Sequence, residues 1–243
     1  MFIDFIGVCF DQVVNQLAKI RYMLGGQVKL PVTIRTQGGA GKSYAAQHSQ
    51  SLEAYLLHTP GLKVVMPATP YDAKGLLKSA IRDNSPVFFI EHKLLYNEKG
   101  PVPEGEYLIP LGISEVKRPG KDVTILAYSR QLLFALKAAE ELAKEGIECE
   151  VIDLKTIVPL NLSLVEESVK KTARLVTCEE GSLTGGVGAE ISARISRDLF
   201  GHLDAPVERV AALDTPIPFA RDLERIVIPQ PEHIIKAVKS VLA

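Results

Sequence analysis

A chain of 243 residues with 47 % hydrophobic side chains can form two modest α/β domains or one large one, which excludes wholesale disorder. Its 28 basic and 29 acidic residues leave a formal net charge of -1, so nothing favours nucleic acid or a membrane surface as partner. The longest apolar runs are strand-sized, and Met1-Phe2-Ile3-Asp4-Phe5 lacks a basic lead, so neither a transmembrane helix nor a signal peptide is expected.

The first half reads as alternating helix and strand. Val13, Val14, Leu17, Ile20 and Met23 have helical spacing over residues 13–23, and Gly25-Gly26 ends that helix. A short strand at 31–34 enters a glycine loop. A helix is expected at 47–58, opened by Gln47-His48 and stopped by Thr59-Pro60-Gly61. Residues 62–66 read as a buried strand. Thr69-Pro70-Tyr71-Asp72 opens the next helix, with Thr69 as N-cap and Pro70 in the first turn. Residues 87–91 form a further strand.

Residues 101–120 hold Pro101, Pro103, Pro110 and Pro119 among glycines, and read as a linker. The predicted strands beyond it are 123–128, 149–153, 175–178 and 207–212. Helices are expected at 130–145, 164–171, 187–197 and 232–241. Strands buried on both faces and alternating with helices point to an α/β fold with mostly parallel sheets. Lys155-Thr156-Ile157-Val158-Pro159-Leu160 reads as an interdomain loop. Cys9, Cys149 and Cys178 form no CxxC pair, and all three are expected as small buried packing residues in a reducing compartment.

Several segments together carry a resemblance. They are Asp11-Gln12-Val13-Val14-Asn15, Gln47-His48-Ser49-Gln50, Pro60-Gly61-Leu62-Lys63-Val64-Val65 and Pro70-Tyr71-Asp72-Ala73-Lys74-Gly75-Leu76. Others are Ala80-Ile81-Arg82-Asp83-Asn84-Ser85-Pro86, Glu150-Val151-Ile152-Asp153-Leu154-Lys155-Thr156 and Glu179-Glu180-Gly181. Over nearly its full length the chain resembles the β subunit of the thiamine-diphosphate-dependent E1 enzymes of 2-oxoacid dehydrogenase complexes, within the transketolase-like group. The resemblance implies a partial pyrimidine-binding domain at 1–100, the linker at 101–120 and a transketolase C-terminal α/β domain at 121–243. It also implies an α2β2 assembly with the E1 α subunit and a second β subunit, an E2 acyltransferase core as acyl acceptor, and a 2-oxoacid substrate. Family β subunits carry a further stretch before the position of Phe5, including a cofactor-activating glutamate. The chain is therefore expected to be N-terminally truncated and inactive alone. A cytoplasmic location is expected, with the mitochondrion kept as an alternative because the start reads as incomplete.

Thiamine chemistry needs a carboxylate at the aminopyrimidine, apolar walls, and proton donors around the carbonyl of the incoming acid. Read from residues alone, His48 is either a proton donor near neutral pH or a helix-start histidine bonded to backbone. The resemblance makes it catalytic, in the funnel leading to the cofactor, and makes Phe5 the aromatic that packs on the aminopyrimidine. It implies a structural potassium ion at Val32, Ala80, Ile81, Asp83 and Ser85, held mostly by main-chain oxygens; the alternative is a helix-end loop satisfied by water. Thiamine diphosphate and its Mg2+ would be held mainly by the α subunit. Gly38-Gly39-Ala40-Gly41-Lys42-Ser43 is not a phosphate loop, because the G-x-x-x-x-G-K-[ST] spacing needs glycine at 36 and Thr36 stands there. His92, at a strand end, reads as a surface or packing histidine, with a place at a subunit interface as the alternative. Glu179 and Glu180, adjacent on a strand, point to opposite faces, so a turn or partner-binding role is expected rather than a shared acid pair.

The leading functional expectation is a pyruvate-type E1 β subunit, with acetoin dehydrogenase β as the enzymatic rival. A transketolase or deoxyxylulose-phosphate-synthase fragment is disfavoured by Gln47-His48-Ser49-Gln50. The non-enzyme rival is a scaffold fragment for α and E2 binding.

Overall fold

The computed structural model describes residues 1–243. The first half contains α1 (Ile20–Met23), β1 (Thr33–Gly38), α2 (Glu53–Leu57), β2 (Lys63–Val65), α3 (Pro70–Arg82) and β3 (Val87–His92). The bridge contributes β4 (Glu115–Arg118), and the second half opens with β5 (Val123–Ala127) and α4 (Arg130–Ala143). There follow β6 (Cys149–Asp153), β7 (Thr156–Val158), α5 (Ser163–Thr172), β8 (Leu175–Ser182), α6 (Val187–Asp198), β9 (Glu208–Ala212), α7 (Arg221–Val227) and α8 (Pro231–Leu242).

These strands make two sheets, ordered β1-β3-β2-β7 and β4-β6-β5-β8-β9. Within each, the inner pairs are parallel, and one edge strand, β7 or β4, is antiparallel. Strand β3 shows why the apolar runs are continuous. One of its faces, with Val87 and Phe89, packs under Leu76 and Ala80 of α3. The other, with Phe88 and Ile90, enters a core of 22 buried residues that also takes Leu126, Ile152, Val165 and Ile191 from the second half. A separate core lies where α4 and α8 cover the far face of the second sheet, around Leu132, Leu142, Ile234 and Val238. The start of α3 follows the sequence: the Thr69 hydroxyl accepts the Asp72 N–H at 3.1 Å, and Pro70 fills the first turn.

Four expectations are corrected. The predicted helix at 13–23 is broken into a π-helical turn, Gln12–Leu17, and the four residues of α1. The Ala18 N–H reaches back to the Val13 carbonyl at 3.0 Å, and apolar side chains such as Tyr22 and Met23 find no surface to bury. The predicted helix at 47–58 is realised only as α2, because its first residues are committed elsewhere. The Gln50 N–H and side chain both bond Asp4, and the Gln50 carbonyl accepts the Gly39 N–H. Residues 156–158, read as interdomain loop, are strand β7, bonded to β2 across the seam between halves. Cys9 is exposed, whereas Cys149 and Cys178 are buried as expected. Beside β7, the Lys155 ammonium lies 3.0 Å from the fully buried Asp72 carboxylate of α3, a second tie across the seam.

Candidate active site

The site grows from the end of β1. Gly38 lies in register with His92 at the end of β3, and the chain then turns through residues 39–43. Gly39 and Gly41 have φ of 87° and 100°, which side chains rarely adopt. A Cβ at Gly39 would overlap the His92 ring. Backbone donors of this loop find few acceptors in their own half. The Ala40 N–H donates to Glu180 Oε1 at 2.6 Å, while Gly41 and Ser43 donate to the two oxygens of Glu224 at 2.7 and 3.0 Å. Rows of free N–H groups make anion sites; here two protein carboxylates already fill that place. The rejection of a phosphate loop therefore has a structural basis.

Beyond the loop the chain carries His48 in a bend rather than at the head of a helix. Its ring is half-buried and meets two aromatic rings edge-on: Phe5 at 5.4 Å between centroids and Phe2 at 5.5 Å. Phe5 keeps 38 % of its surface exposed, so an apolar wall and an imidazole share one open rim. The nearly buried Lys93 donates to the His48 carbonyl and sits over the Phe2 ring at 4.4 Å. Burial lowers the Lys93 pKa, against the pull of Asp4, Glu180 and Glu224.

Behind the rim lies a buried polar cluster between the halves. The Tyr128 hydroxyl, just past β5, sits 2.9 Å from Glu53 Oε1 and 3.2 Å from Glu179 Oε2. One phenol proton cannot serve two carboxylates, so one acid retains a proton of its own. Burial, then the charge of Glu53, raises the Glu179 carboxyl to about 7, and Glu53 is also raised by burial. Glu180 differs. Burial raises its pKa, but the charge and hydrogen bond of His92, at 3.0 Å, and then Arg130 outweigh it, leaving the net shift downward. His92, expected as a surface or packing histidine, is buried: its Nδ1 accepts the Leu94 N–H at 3.1 Å and its Nε2 meets Glu180 at 3.0 Å. Glu179 and Glu180 do face opposite ways, as strand alternation requires, but both are buried rather than placed at a turn or free for a partner.

The residues implied for potassium gather at the C-terminal end of α3 and before β1. The Val32 carbonyl accepts the Val87 N–H, and the Ala80 carbonyl accepts the Asp83 N–H. Ile81 is exposed. Asp83 accepts the Ser85 N–H at 2.8 Å and pairs with the Lys63 ammonium, while the Ser85 hydroxyl accepts from Arg21. Lys63 thus places a cation on the one carboxylate of the set. Of the residues singled out, Phe5 and His48 come together, and the Val32–Ser85 group forms a separate locality. Sequence reasoning missed Glu53, Lys93, Tyr128, Arg130 and Glu224. For Glu179 and Glu180 a signal existed, since acidic residues ended an otherwise apolar strand.

Two α/β units joined at a polar seam, with the rim above it, define a protein of the transketolase type. Residues 1–99 match the transketolase pyrimidine-binding domain and residues 112–234 the transketolase C-terminal domain. The chain belongs to this family, in the branch that includes the β subunits of pyruvate dehydrogenase E1 and of acetoin oxidoreductases. It is 52 % identical to the acetoin:2,6-dichlorophenolindophenol oxidoreductase β subunit of Cupriavidus necator, over 100 % of this chain and 72 % of that one. It is 48 % identical to the pyruvate dehydrogenase E1 β subunit of Porphyra purpurea, over 100 % of this chain and 73 % of that subunit. A solved structure, a split-gene transketolase in an inactive β4 tetramer, superposes with a TM-score of 0.81 at 26 % identity, covering 99 % of this chain and 74 % of that one.

Proposed function

We propose that this chain is the β subunit of a thiamine-diphosphate-dependent 2-oxoacid dehydrogenase E1, acting on pyruvate and passing the acyl group to a lipoyl group of an E2 acyltransferase core. The observation that carries this reading is the open rim where the Phe5 ring and the His48 imidazole stand 5.4 Å apart, in a chain whose relatives include E1 β subunits. The cofactor, when bound, supplies the electron sink for decarboxylation. Phe5 offers a flat apolar wall that suits its aminopyrimidine, and His48 hydrogen-bonds or protonates the incoming acid, or assists transfer to the lipoyl group. The glycine loop does not suit the diphosphate, because the Glu180 and Glu224 carboxylates occupy its N–H groups and would repel phosphate. The diphosphate and Mg2+ therefore belong to an E1 α subunit. Exposed Val8, Tyr22 and Met23 support a covering partner, α or a second β. The Val32, Ala80, Ile81, Asp83 and Ser85 locality is assigned to a structural potassium ion, which would share Asp83 with Lys63. The division into 1–100, 101–120 and 121–243 and the cytoplasmic location are part of the same reading; no helix is long and apolar enough to cross a membrane.

The test pairs E1 α with this chain and adds thiamine diphosphate and Mg2+. His48→Ala is expected to lower acyl transfer to a lipoyl domain by ~10²–10⁴-fold while the melting temperature holds. Unchanged transfer, or a collapsed melt, overturns the catalytic reading. The 243-residue chain by itself is expected to give no pyruvate-dependent dye reduction above the blank. A second reading, acetoin in place of pyruvate, is favoured by the 52 % identity to the Cupriavidus subunit. Turnover with each substrate in the same assay separates the two.

A further inference from the structure

Glu224 has an unusual use for a buried charge. It lies on α7, in the half of the chain that does not carry the rim, and only 2 % of its surface is exposed. No lysine, arginine or histidine lies within ion-pair distance of it; its close partners are the N–H groups of Gly41 and Ser43, one on each oxygen. A buried carboxylate without hydrogen bonds is strongly unfavourable, so the two amides and the acid hold each other in one arrangement. Ser43 and Ala45 have φ of 55° and 61°, and the His48 N–H turns back to the Ala45 carbonyl at 3.4 Å. At the far end, Lys93 grips the His48 carbonyl.

We propose that Glu224 is a positioning residue: by clamping the amides of Gly41 and Ser43 it sets, from the second half of the chain, where the His48 imidazole stands on the rim. The inference rests on the reading of His48 as a functional proton donor, and it extends that reading to a residue that never touches the reacting atoms. Glu180, on the Ala40 amide, assists, but its hydrogen bond with His92 and its pairing with Arg130 give it a separate structural duty. Glu224 has no such second duty, which makes it the cleaner probe.

The experiment labels the five histidines with 13C at Cε1 in the full chain and follows their NMR signals, with His48 assigned by His48→Gln. Glu224→Gln keeps the volume and one acceptor for two donors; Glu224→Ala removes both. The His48 signal is expected to shift or broaden in Glu224→Gln and further in Glu224→Ala, while His58, His202 and His233 stay in place. The Gly41 amide is expected to lose exchange protection in step. In the α-paired enzyme the Gln variant should lose about tenfold in kcat with KM within about twofold, the pattern of a misplaced group rather than a lost binding contact. Lys93→Met is the comparator, since it reaches His48 directly. If Lys93→Met moves the His48 signal and neither Glu224 variant does, His48 is held from within its own half and the proposal is overturned. Displacement of all five histidine signals in both Glu224 variants, with a lost melting transition, also overturns it, because Glu224 would then only support the fold. If the His48 signal moves as expected while His48→Ala is fully active, the positioning stands and it is the catalytic reading of His48 that fails.

Discussion

The two faces of the last turn of β8 carry the same side chain in opposite electrostatic states. On one face Glu179 meets Tyr128, Glu53 and the Gly188 N–H, with Arg209 no closer than 3.9 Å, and burial raises its carboxyl to about 7. On the other, one residue later, Glu180 meets His92 and Arg130, which outweigh burial and move its carboxyl below the ordinary value. Residue type and solvent exclusion are nearly equal on the two faces. What differs is the company each keeps: the charge of Glu53 adds to burial at Glu179, whereas His92 and Arg130 work against burial at Glu180. The alternation of a strand is enough to sort neighbouring residues into one site that stores a proton and one that stores a charge.

The largest test of this contrast is Glu180→Gln. It leaves the buried His92 and Arg130 without their carboxylate and is expected to destabilise the chain by about 3 kcal/mol at pH 7, read by urea melts. Because the folded-state pKa of Glu180 is depressed, its contribution is present above the ordinary value of 4.5 and is lost as pH falls through the folded value. The gap between wild type and variant should therefore narrow in acid. Glu179→Gln should act in the opposite sense. A raised folded-state pKa means stability that is complete below the ordinary 4.5 and is lost as pH rises through about 7. The variant escapes that loss, so it should be more stable than wild type at pH 8 by about 2 kcal/mol and nearly equal to it at pH 5. Parallel pH profiles for the two variants would break the comparison. Tyr128→Phe is the smallest and sharpest probe. It removes the hydroxyl that stands between Glu53 and Glu179 and should cost about 1–2 kcal/mol near neutral pH in the same melts, with the Glu180 face unaffected.

The second half was legible because its strands are buried on both faces. Val123–Ala127 and Cys149–Asp153 stand in the sequence as strand-sized segments between helical patterns, and the structure places them within a residue of the reading. The first 60 residues were less legible, since periodicity assumes that a segment's backbone bonds itself. Gln50 gives its N–H to Asp4 and its carbonyl to Gly39, so no helical spacing around His48 could be realised. Phe5 and His48 were found through the resemblance of whole segments, not through periodicity. The cluster behind them was not found, because its members join only in three dimensions: Glu224 reaches Gly41 across 183 positions, and Glu53 meets Tyr128 across 75. The side chains that bind the halves together carry no local spacing to read.

Strand β7 makes the order of synthesis matter. The antiparallel edge of the first sheet, beside β2, is supplied by Thr156–Val158, which leaves the ribosome only after the bridge, α4 and most of the second sheet's first strands. Until then β2 presents unpaired N–H and C=O groups to whatever strand comes near, including that of a neighbouring nascent chain. Cleavage in the bridge of the finished molecule would leave both pieces bound, since the first sheet would still hold its fourth strand from the second piece.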